Sequence, residues 1–175
     1  MKAYILTTFI FLSSMGNLLA QTLPQGYFNR TKLGLQPGID YGDRPPSFSQ
    51  GGSLISTING YLLTLHVGIG LGVGYSAYNN PGVKAIPVFA NLDYYFLKKR
   101  STPYATGSLG YGFVTNDFLV GGLVSELGMG WRFKSGKKIH LGPEVAYRYQ
   151  SYGYKGYKGY NERLKSIFVG FNIMF

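Results

Sequence analysis

Apolar and polar residues alternate along most of the chain. In 65–78 one face is apolar, and it consists of Leu65, Val67, Ile69, Leu71, Val73, Tyr75 and Ala77. The opposite face carries four glycines, Gly68, Gly70, Gly72 and Gly74, together with His66, Ser76 and Tyr78. A repeat of two residues is typical of a β-strand with two different faces, whereas a helix requires a repeat close to 3.6. The pattern therefore predicts an all-β protein.

The alternation recurs in eight segments, each predicted to be a strand: 32–41, 52–60, 65–78, 86–97, 104–113, 119–133, 139–150 and 166–175. The alternation is least regular in segment 52–60. Of its two faces, the one with Leu54, Ser56 and Ile58 is the more apolar. Pro37 and Pro143 lie inside predicted strands, where proline cannot donate a hydrogen bond to the ladder. We therefore predict a bulge at each proline that shifts the register by one residue.

The two faces differ in their ionisable residues. One face holds mostly Gly, Ser, Thr and Asn with a few charges, whereas the other holds no ionisable residue through the strand centres. A continuous apolar face turned to water would be an aggregation surface, and the opposite arrangement would place Asp93, Glu126 and Glu144 in lipid. The chain is therefore predicted to be a transmembrane eight-stranded antiparallel up-and-down β-barrel, apolar outside and closed without edges. A soluble lipocalin-like ligand-binding barrel is the alternative.

Loop lengths and aromatic residues agree with a barrel in a membrane. Short turns are predicted at 61–64, 98–102 and 134–138, and longer loops at 42–51, 79–85 and 151–164, although 114–118 is also short. Aromatic residues near strand ends are typical of the two membrane interfaces. The predicted girdle on the short-turn side consists of Tyr94, Phe96, Trp131, Phe133 and Phe175. The girdle on the other side consists of Tyr41, Tyr75, Tyr111, Phe113, Tyr147 and Tyr149.

The inward residues predict a filled interior. Eight strands enclose a lumen that side chains can fill, and the inward glycines of 65–78 are expected to make room for large neighbours such as Phe89 and Arg148. Lys32, Asp40 and His66 are also assigned to the lumen. The predicted lumen charge network consists of Asp93, Glu126, Arg132, His140, Glu144 and Arg148.

Pairing across the 134–138 turn predicts the partners within this network. It places Arg132 opposite His140 and Glu126 opposite Ala146. A salt-bridge network that plugs the lumen is the favoured interpretation, and a charge gate in a narrow passive pore is the alternative.

Composition and the N-terminus limit the possible functions. Lys2 and the apolar run 4–15 predict a signal peptide over 1–20, followed by a barrel domain over 21–175. The chain contains no cysteine, which excludes disulfides and thiol chemistry. Its net charge of +10 suits phosphorylated lipid head groups better than nucleic acid in an exported protein. We expect no cofactor and no metal ion.

An enzymatic role finds little support in the sequence. A lipid-modifying enzyme would need a serine and a histidine that converge near a membrane interface. The only histidines, His66 and His140, are both assigned to the lumen. We therefore expect a protein without enzymatic activity.

Several short motifs resemble those of small OmpA/OmpX-like eight-stranded outer-membrane β-barrel proteins, as found in Bacteroidota. The motifs are 87–90 (PVFA), 94–97 (YYFL), 103–104 (PY), 110–111 (GY) and the ending 170–175 (GFNIMF), together with Arg100. The resemblance covers 27–175. It implies the outer membrane of a Gram-negative bacterium, periplasmic N- and C-termini, a monomer, and contacts with outer-membrane lipid and lipopolysaccharide. It also implies that the outer-membrane assembly machinery reads Gly170, Ile173 and Phe175 during insertion.

The last predicted loop is the most individual part of the sequence. Its candidate contact residues are Tyr154, Lys155, Tyr157, Lys158 and Tyr160. Tyrosines that pack on one another in a glycine-rich loop are the favoured interpretation. The alternative is contact with lipopolysaccharide, because tyrosines can stack on sugars and lysines can pair with phosphates. The expected role is structural or one of surface interaction, including binding or adhesion.

Overall fold

Eight antiparallel strands surround a single lumen. The computed structural model describes residues 26–41, 51–79, 82–97, 101–115, 118–135, 139–154 and 161–175. The strands are β1 (Tyr27–Gln36), β2 (Gly52–Leu62), β3 (Val67–Tyr78), β4 (Lys84–Tyr95), β5 (Thr102–Val114), β6 (Gly122–Lys134), β7 (His140–Tyr154) and β8 (Asn161–Met174). Two short segments extend this set: Gly38–Tyr41 continues β1 beyond Pro37, and Leu119–Val120 precedes β6. The predicted signal peptide, 1–20, lies outside the described residues.

The sheet closes on itself. Each strand pairs with the next one along the chain, and β1 also pairs with β8, from Arg30 opposite Met174 to Leu35 opposite Val169. Beyond this ladder, the backbones of Asn29 and Phe175 exchange two hydrogen bonds of 3.2 and 2.9 Å. The predicted eight-stranded antiparallel β-barrel is therefore confirmed. No helix among the described residues has the length and apolar character needed to cross a membrane.

The barrel has two different ends. At the turn end, the short connections 63–66, 96–101 and 135–139 join the strands, and β1 begins and β8 ends there. The connections at the other end, which we call the loop end, are 42–51, 79–83, 115–121 and 155–160. The last loop is shorter than the predicted 151–164, because alternation continues through the ends of β7 and β8. The first strand begins at Tyr27, before the predicted start at residue 32.

The outer face is apolar, as the alternation predicts. Leu71, Leu127 and Phe171 expose 70, 70 and 68% of their surface, and most outward aromatic residues lie near the strand ends. Tyr147, which was predicted for the girdle at the loop end, lies instead at the middle of β7. The prediction for β2 was wrong, however. Leu54 and Ile58 are buried inside the barrel, because β2 pairs with β1 in a register that turns the opposite row outward.

The two prolines behave differently. Near Pro37 the register between the β1 extension and β8 shifts between Lys165 and Ser166, as a bulge requires. The bulge predicted at Pro143 is absent, since the register with β8 continues unchanged through the pair Pro143–Phe171. On the side of β7 that faces β6, the ladder contains the pairs Gly130–Glu144 and Phe133–Leu141 and no pair between them. Pro143 therefore lies at a gap in that ladder, where its missing N–H costs no pairing.

Inward glycines make room for rings. A Cβ atom added at Gly72 would lie 2.4 Å from the ring of Phe89, and one at Gly130 would lie 2.4 Å from the Tyr104 hydroxyl. These distances are too short for any side chain, so the rings occupy the space that the glycines leave open. The expected role of Gly72 beside Phe89 is confirmed.

Candidate functional site: the charged lumen

One ion pair crosses the lumen between β1 and β4. Arg30 Nη2 lies 3.0 Å from Asp93 Oδ1, and Asn91 Nδ2 donates to the same oxygen at 2.9 Å. The Thr106 hydroxyl lies 3.4 Å from Arg30 Nη2. Arg30 and Asp93 are fully buried, with side-chain exposures of 1 and 0%. The position of Arg30 follows from the alternation of β1, which turns every second side chain inward.

A second group of charges is centred on Lys32. Its ammonium contacts the carboxylates of both Glu126 and Glu144, and Arg148 Nη1 lies 3.0 Å from Glu126 Oε2. The Tyr104 hydroxyl donates to Glu144 Oε2 at 2.6 Å. Lys32 therefore links two carboxylates from different strands, and Glu126 in turn links two cations.

The charges of the two groups balance. Arg30, Lys32 and Arg148 supply three positive charges, and Asp93, Glu126 and Glu144 supply three negative ones, all buried. Each ion has left water at a large cost, which only close opposite charges and hydrogen bonds can offset. The set is neutral, and the loss of any one member would leave an uncompensated buried charge.

Apolar side chains lie on both sides of the charges along the barrel axis. Nearer the turn end, the cluster consists of Phe28, Ile58, Phe89, Tyr95, Tyr104 and Met174. At the loop end, the cluster consists of Tyr78, Val83, Tyr152 and Leu164, with Val114 and Leu119 packed against it. Over the described residues, side chains fill the lumen on both sides of the charged groups, and this packing separates them from water.

The structure brings together only part of the predicted network. Glu126, Glu144 and Arg148 meet at Lys32, and Asp93 pairs separately with Arg30. Arg132 and His140 join neither ion-pair group. The Arg132 guanidinium lies 4.3 Å from the centre of the Tyr95 ring, nearer the turn end.

The predicted register between β6 and β7 was wrong by two residues. Glu126 lies opposite Arg148, and His140 lies opposite Lys134. The predicted turn 134–138 has the same length as the connection 135–139 but lies one residue earlier, which moves every pair by two residues. A difference of two residues keeps every side chain on the same face. The alternation was therefore correct, although the partners were not.

Sequence reasoning missed Arg30 and placed His66 wrongly. Arg30 was missed because the first strand was predicted to begin at residue 32; continuing the alternation towards Tyr27 would have placed it inward. His66 belongs to the turn before β3, not to the lumen. Its Nδ1 lies 2.7 Å from the Tyr95 carbonyl oxygen, and its ring stacks on Tyr94.

The other predicted site residues lie at the two ends of the barrel. Tyr154 packs its ring edge-on to Tyr152, whereas Lys155, Tyr157, Lys158 and Tyr160 lie outside the described residues. At the end of the chain, Ile173 and Phe175 face outward. Gly170 faces inward, where an added Cβ would lie 2.6 Å from the Phe168 ring.

The Phe168 ring packs against both Gly170 and the charged part of the lumen. The ring is fully buried and lies 5.1 Å from Lys32 Nζ. Gly34 and Gly170, on neighbouring strands, leave the space that it occupies. The large apolar residue at 168 therefore packs against the charged cluster. No group of three or more metal-binding side chains occurs in the described parts of the chain.

Comparison with known proteins identifies the fold. The sequence matches no family model and no curated protein. Among solved structures, Neisserial surface protein A (NspA) aligns with a TM-score of 0.59 and 15% identity, over 85% of this chain and 94% of that one. The chain has the fold of a small outer-membrane β-barrel.

Two further outer-membrane barrels show the same similarity. OprG from Pseudomonas aeruginosa aligns with a TM-score of 0.54 and 12% identity, over 89% of this chain and 99% of its own. AlkL, whose structure was determined in lipid bilayers, aligns with a TM-score of 0.53 and 13% identity, over 86% of this chain and 90% of its own. At these identities the similarity concerns the fold alone.

Proposed function

We propose that this chain is an integral outer-membrane barrel of a Gram-negative bacterium with a structural or surface-interaction role. The observation that carries the proposal is the filled lumen, in which neutralised charges lie between two apolar clusters. An open pore requires a water-lined path, and a binding barrel requires a cavity. The fold of the outer-membrane neighbours and the apolar outer face support the location.

We further propose an orientation and a family. Because the strand number is even, the two ends of the barrel domain meet at the turn end, which we place in the periplasm, with the loop end outside the cell. The residue motifs favour the OmpA/OmpX-like group and an origin in Bacteroidota. Gly170, Ile173 and Phe175 are then the residues that the assembly machinery reads during insertion.

The chain is proposed to have no enzymatic activity. A hydrolase or acyltransferase acting on lipid would need a histidine oriented towards a nucleophile near the interface. The His66 ring is instead engaged by the Tyr95 carbonyl oxygen and the Tyr94 ring. This arrangement gives His66 a structural role in the turn.

The closed lumen predicts the absence of ion conduction. Purified protein that shows a heat-dependent shift in gel mobility, and is therefore folded, should add no steady conductance to a planar lipid bilayer. A variant with Tyr152→Ala and Leu164→Ala in the loop-end cluster tests whether removing side chains opens a path. Discrete conductance steps from the unaltered folded protein would contradict the proposal and favour the narrow pore.

Lipopolysaccharide is the proposed partner of the last loop. A variant with Lys155→Gln and Lys158→Gln should bind lipopolysaccharide-containing vesicles more weakly than the unaltered protein, because it lacks two cations that could pair with phosphates. The matched control is Lys134→Gln at the turn end, and vesicle flotation at several salt concentrations measures the binding. Equal binding by all three proteins would contradict a contact through this loop.

A further inference from the structure

Two cations follow each other on the outer face of β8 near the loop end. Arg163 is exposed and Lys165 is half-buried, whereas Leu164 and Ser166 are buried in the lumen. Because side chains alternate along a strand, both cations lie on the side of the wall that faces outward. We call Arg163 and Lys165 the cationic pair.

The cationic pair begins where the apolar part of the outer wall ends. Between the pair and the turn end, the outward residues of β8 are apolar and include Ile167, Val169 and Phe171. In the ladder with β7, Tyr149 lies opposite Lys165, and tyrosine is typical of the depth at which hydrocarbon passes into head groups. The change from apolar to cationic residues therefore places the pair at the level of lipid head groups.

Acidic residues offset only part of this charge. Arg163 enters no ion pair with any side chain in the described ranges. Its neighbour Glu162 belongs to the inward row, opposite the buried Tyr152. The other acid close in the ladder is Asp40, which lies opposite Lys165 on the extension of β1. One carboxylate beside two cations leaves positive charge on this face, which favours an anionic ligand.

A lipid phosphate fits both the chemistry and the position of the pair. The planar guanidinium of Arg163 presents N–H groups that match two oxygens of one phosphate, and the ammonium of Lys165 adds a second charge. A phosphate that belongs to a lipid head group also places its acyl chains along the apolar wall below. A phosphate free in water would gain nothing from that wall, so the apolar residues favour the lipid.

We propose that the cationic pair binds the phosphates of lipid A, the membrane anchor of lipopolysaccharide. The acyl chains of this lipid then lie along the apolar outward residues of β8. The inference rests on the proposed membrane location and on the proposed partner, and it assigns the lipid anchor to β8 as the last loop is assigned the rest of the molecule. Because that loop leads directly into β8, one lipopolysaccharide molecule can contact both.

The temperature of the heat-dependent gel shift tests the pair, because a ligand that binds only the folded barrel raises this temperature. The protein is inserted into phosphatidylcholine vesicles that contain lipid A, either with its phosphates or with the phosphates removed. The phosphorylated form should raise the temperature of the unaltered protein, and the dephosphorylated form should not. In a variant with Arg163→Gln and Lys165→Gln, the rise should fall by at least half.

The matched control is Lys84→Gln. Lys84 is an exposed cation at the loop end of β4, on the opposite wall of the barrel. It lies opposite Ala77 in the ladder with β3, and the next outward residue of its own strand is Ile86. It therefore tests a single cation near the same end of the barrel without a second one beside it. Its rise with phosphorylated lipid A should equal that of the unaltered protein.

Four results would overturn the pair as the phosphate site. They are no rise in the unaltered protein, an equal rise in the unaltered protein and the double variant, an equal loss in Lys84→Gln, and a rise with dephosphorylated lipid A. The vesicle binding of the Lys155→Gln and Lys158→Gln variant decides the contact of the last loop separately. If the unaltered folded protein responds neither to lipid A nor to intact lipopolysaccharide, the proposed partner fails together with this inference.

Discussion

Replacing Lys32 by methionine should be among the most destabilising single substitutions in the barrel. Lys32 is the cation that contacts both Glu126 and Glu144, and methionine fills a similar volume without the charge. Removal of one partner from a buried ion pair costs about 3–5 kcal/mol. We therefore expect a loss of that size in the free energy of unfolding, measured by urea unfolding in lipid vesicles. The fluorescence of Trp131, the single tryptophan, reports the transition.

Two matched variants separate charge from packing. Arg148→Met removes a cation whose ion pair, within the part of the chain that the structure describes, is with Glu126 alone. Because Glu126 still retains Lys32 in this variant, the cost should be smaller. Adding Glu144→Gln to Lys32→Met restores a neutral lumen and should recover part of the lost stability. If Lys32→Met and Arg148→Met unfold at the same urea concentration, Lys32 is not the centre of the network.

Gly72→Val should also destabilise the folded barrel. A Cβ atom at this position would lie 2.4 and 2.5 Å from two atoms of the Phe89 ring and 3.1 Å from Ile58 Cγ1. Neither neighbour can move away freely, because both belong to the cluster nearer the turn end. Overpacking of this kind costs about 1–3 kcal/mol, and the same unfolding measurement detects it.

The test of this steric explanation is a double-mutant cycle with Phe89→Ala. Removing the ring creates the space that valine needs, so the two substitutions together should cost less than the sum of the separate costs. The matched control is Gly107→Ala on the outer face, where the nearest atom, Leu127 Cδ1, is 4.0 Å away. That control should be neutral or gain about 0.5–1 kcal/mol. Additive costs in the cycle would contradict the steric explanation.

The faces of most strands could be predicted from the sequence because period two is a local property. Strand β3 shows this best, since its glycines and its aliphatic residues fall on opposite sides without exception. Strand β2 could not be predicted in this way. Its inward row contains Leu54 and Ile58, and its outward row contains Thr57 and Asn59, so hydrophobicity alone indicates the wrong face.

Partners across the barrel depend on information that the alternation does not contain. A register change of two residues leaves each side chain on its own face, so the pattern is the same for Glu126 opposite Ala146 and opposite Arg148. The conformation of the connecting turn decides between them. The contact of Lys32 with Glu126 and Glu144 depends further on the stagger of the strands around the whole barrel.

The seam between β1 and β8 has a consequence for the order of folding. The ribosome makes β1 before every other strand and β8 after them, yet the Asn29 and Phe175 backbones must meet. Until then both flanking strands present free edges that can pair with other chains. Contacts between distant parts of a chain also form slowly. The nascent polypeptide therefore needs protection from aggregation until its last strand is available, and a product truncated before β8 cannot close.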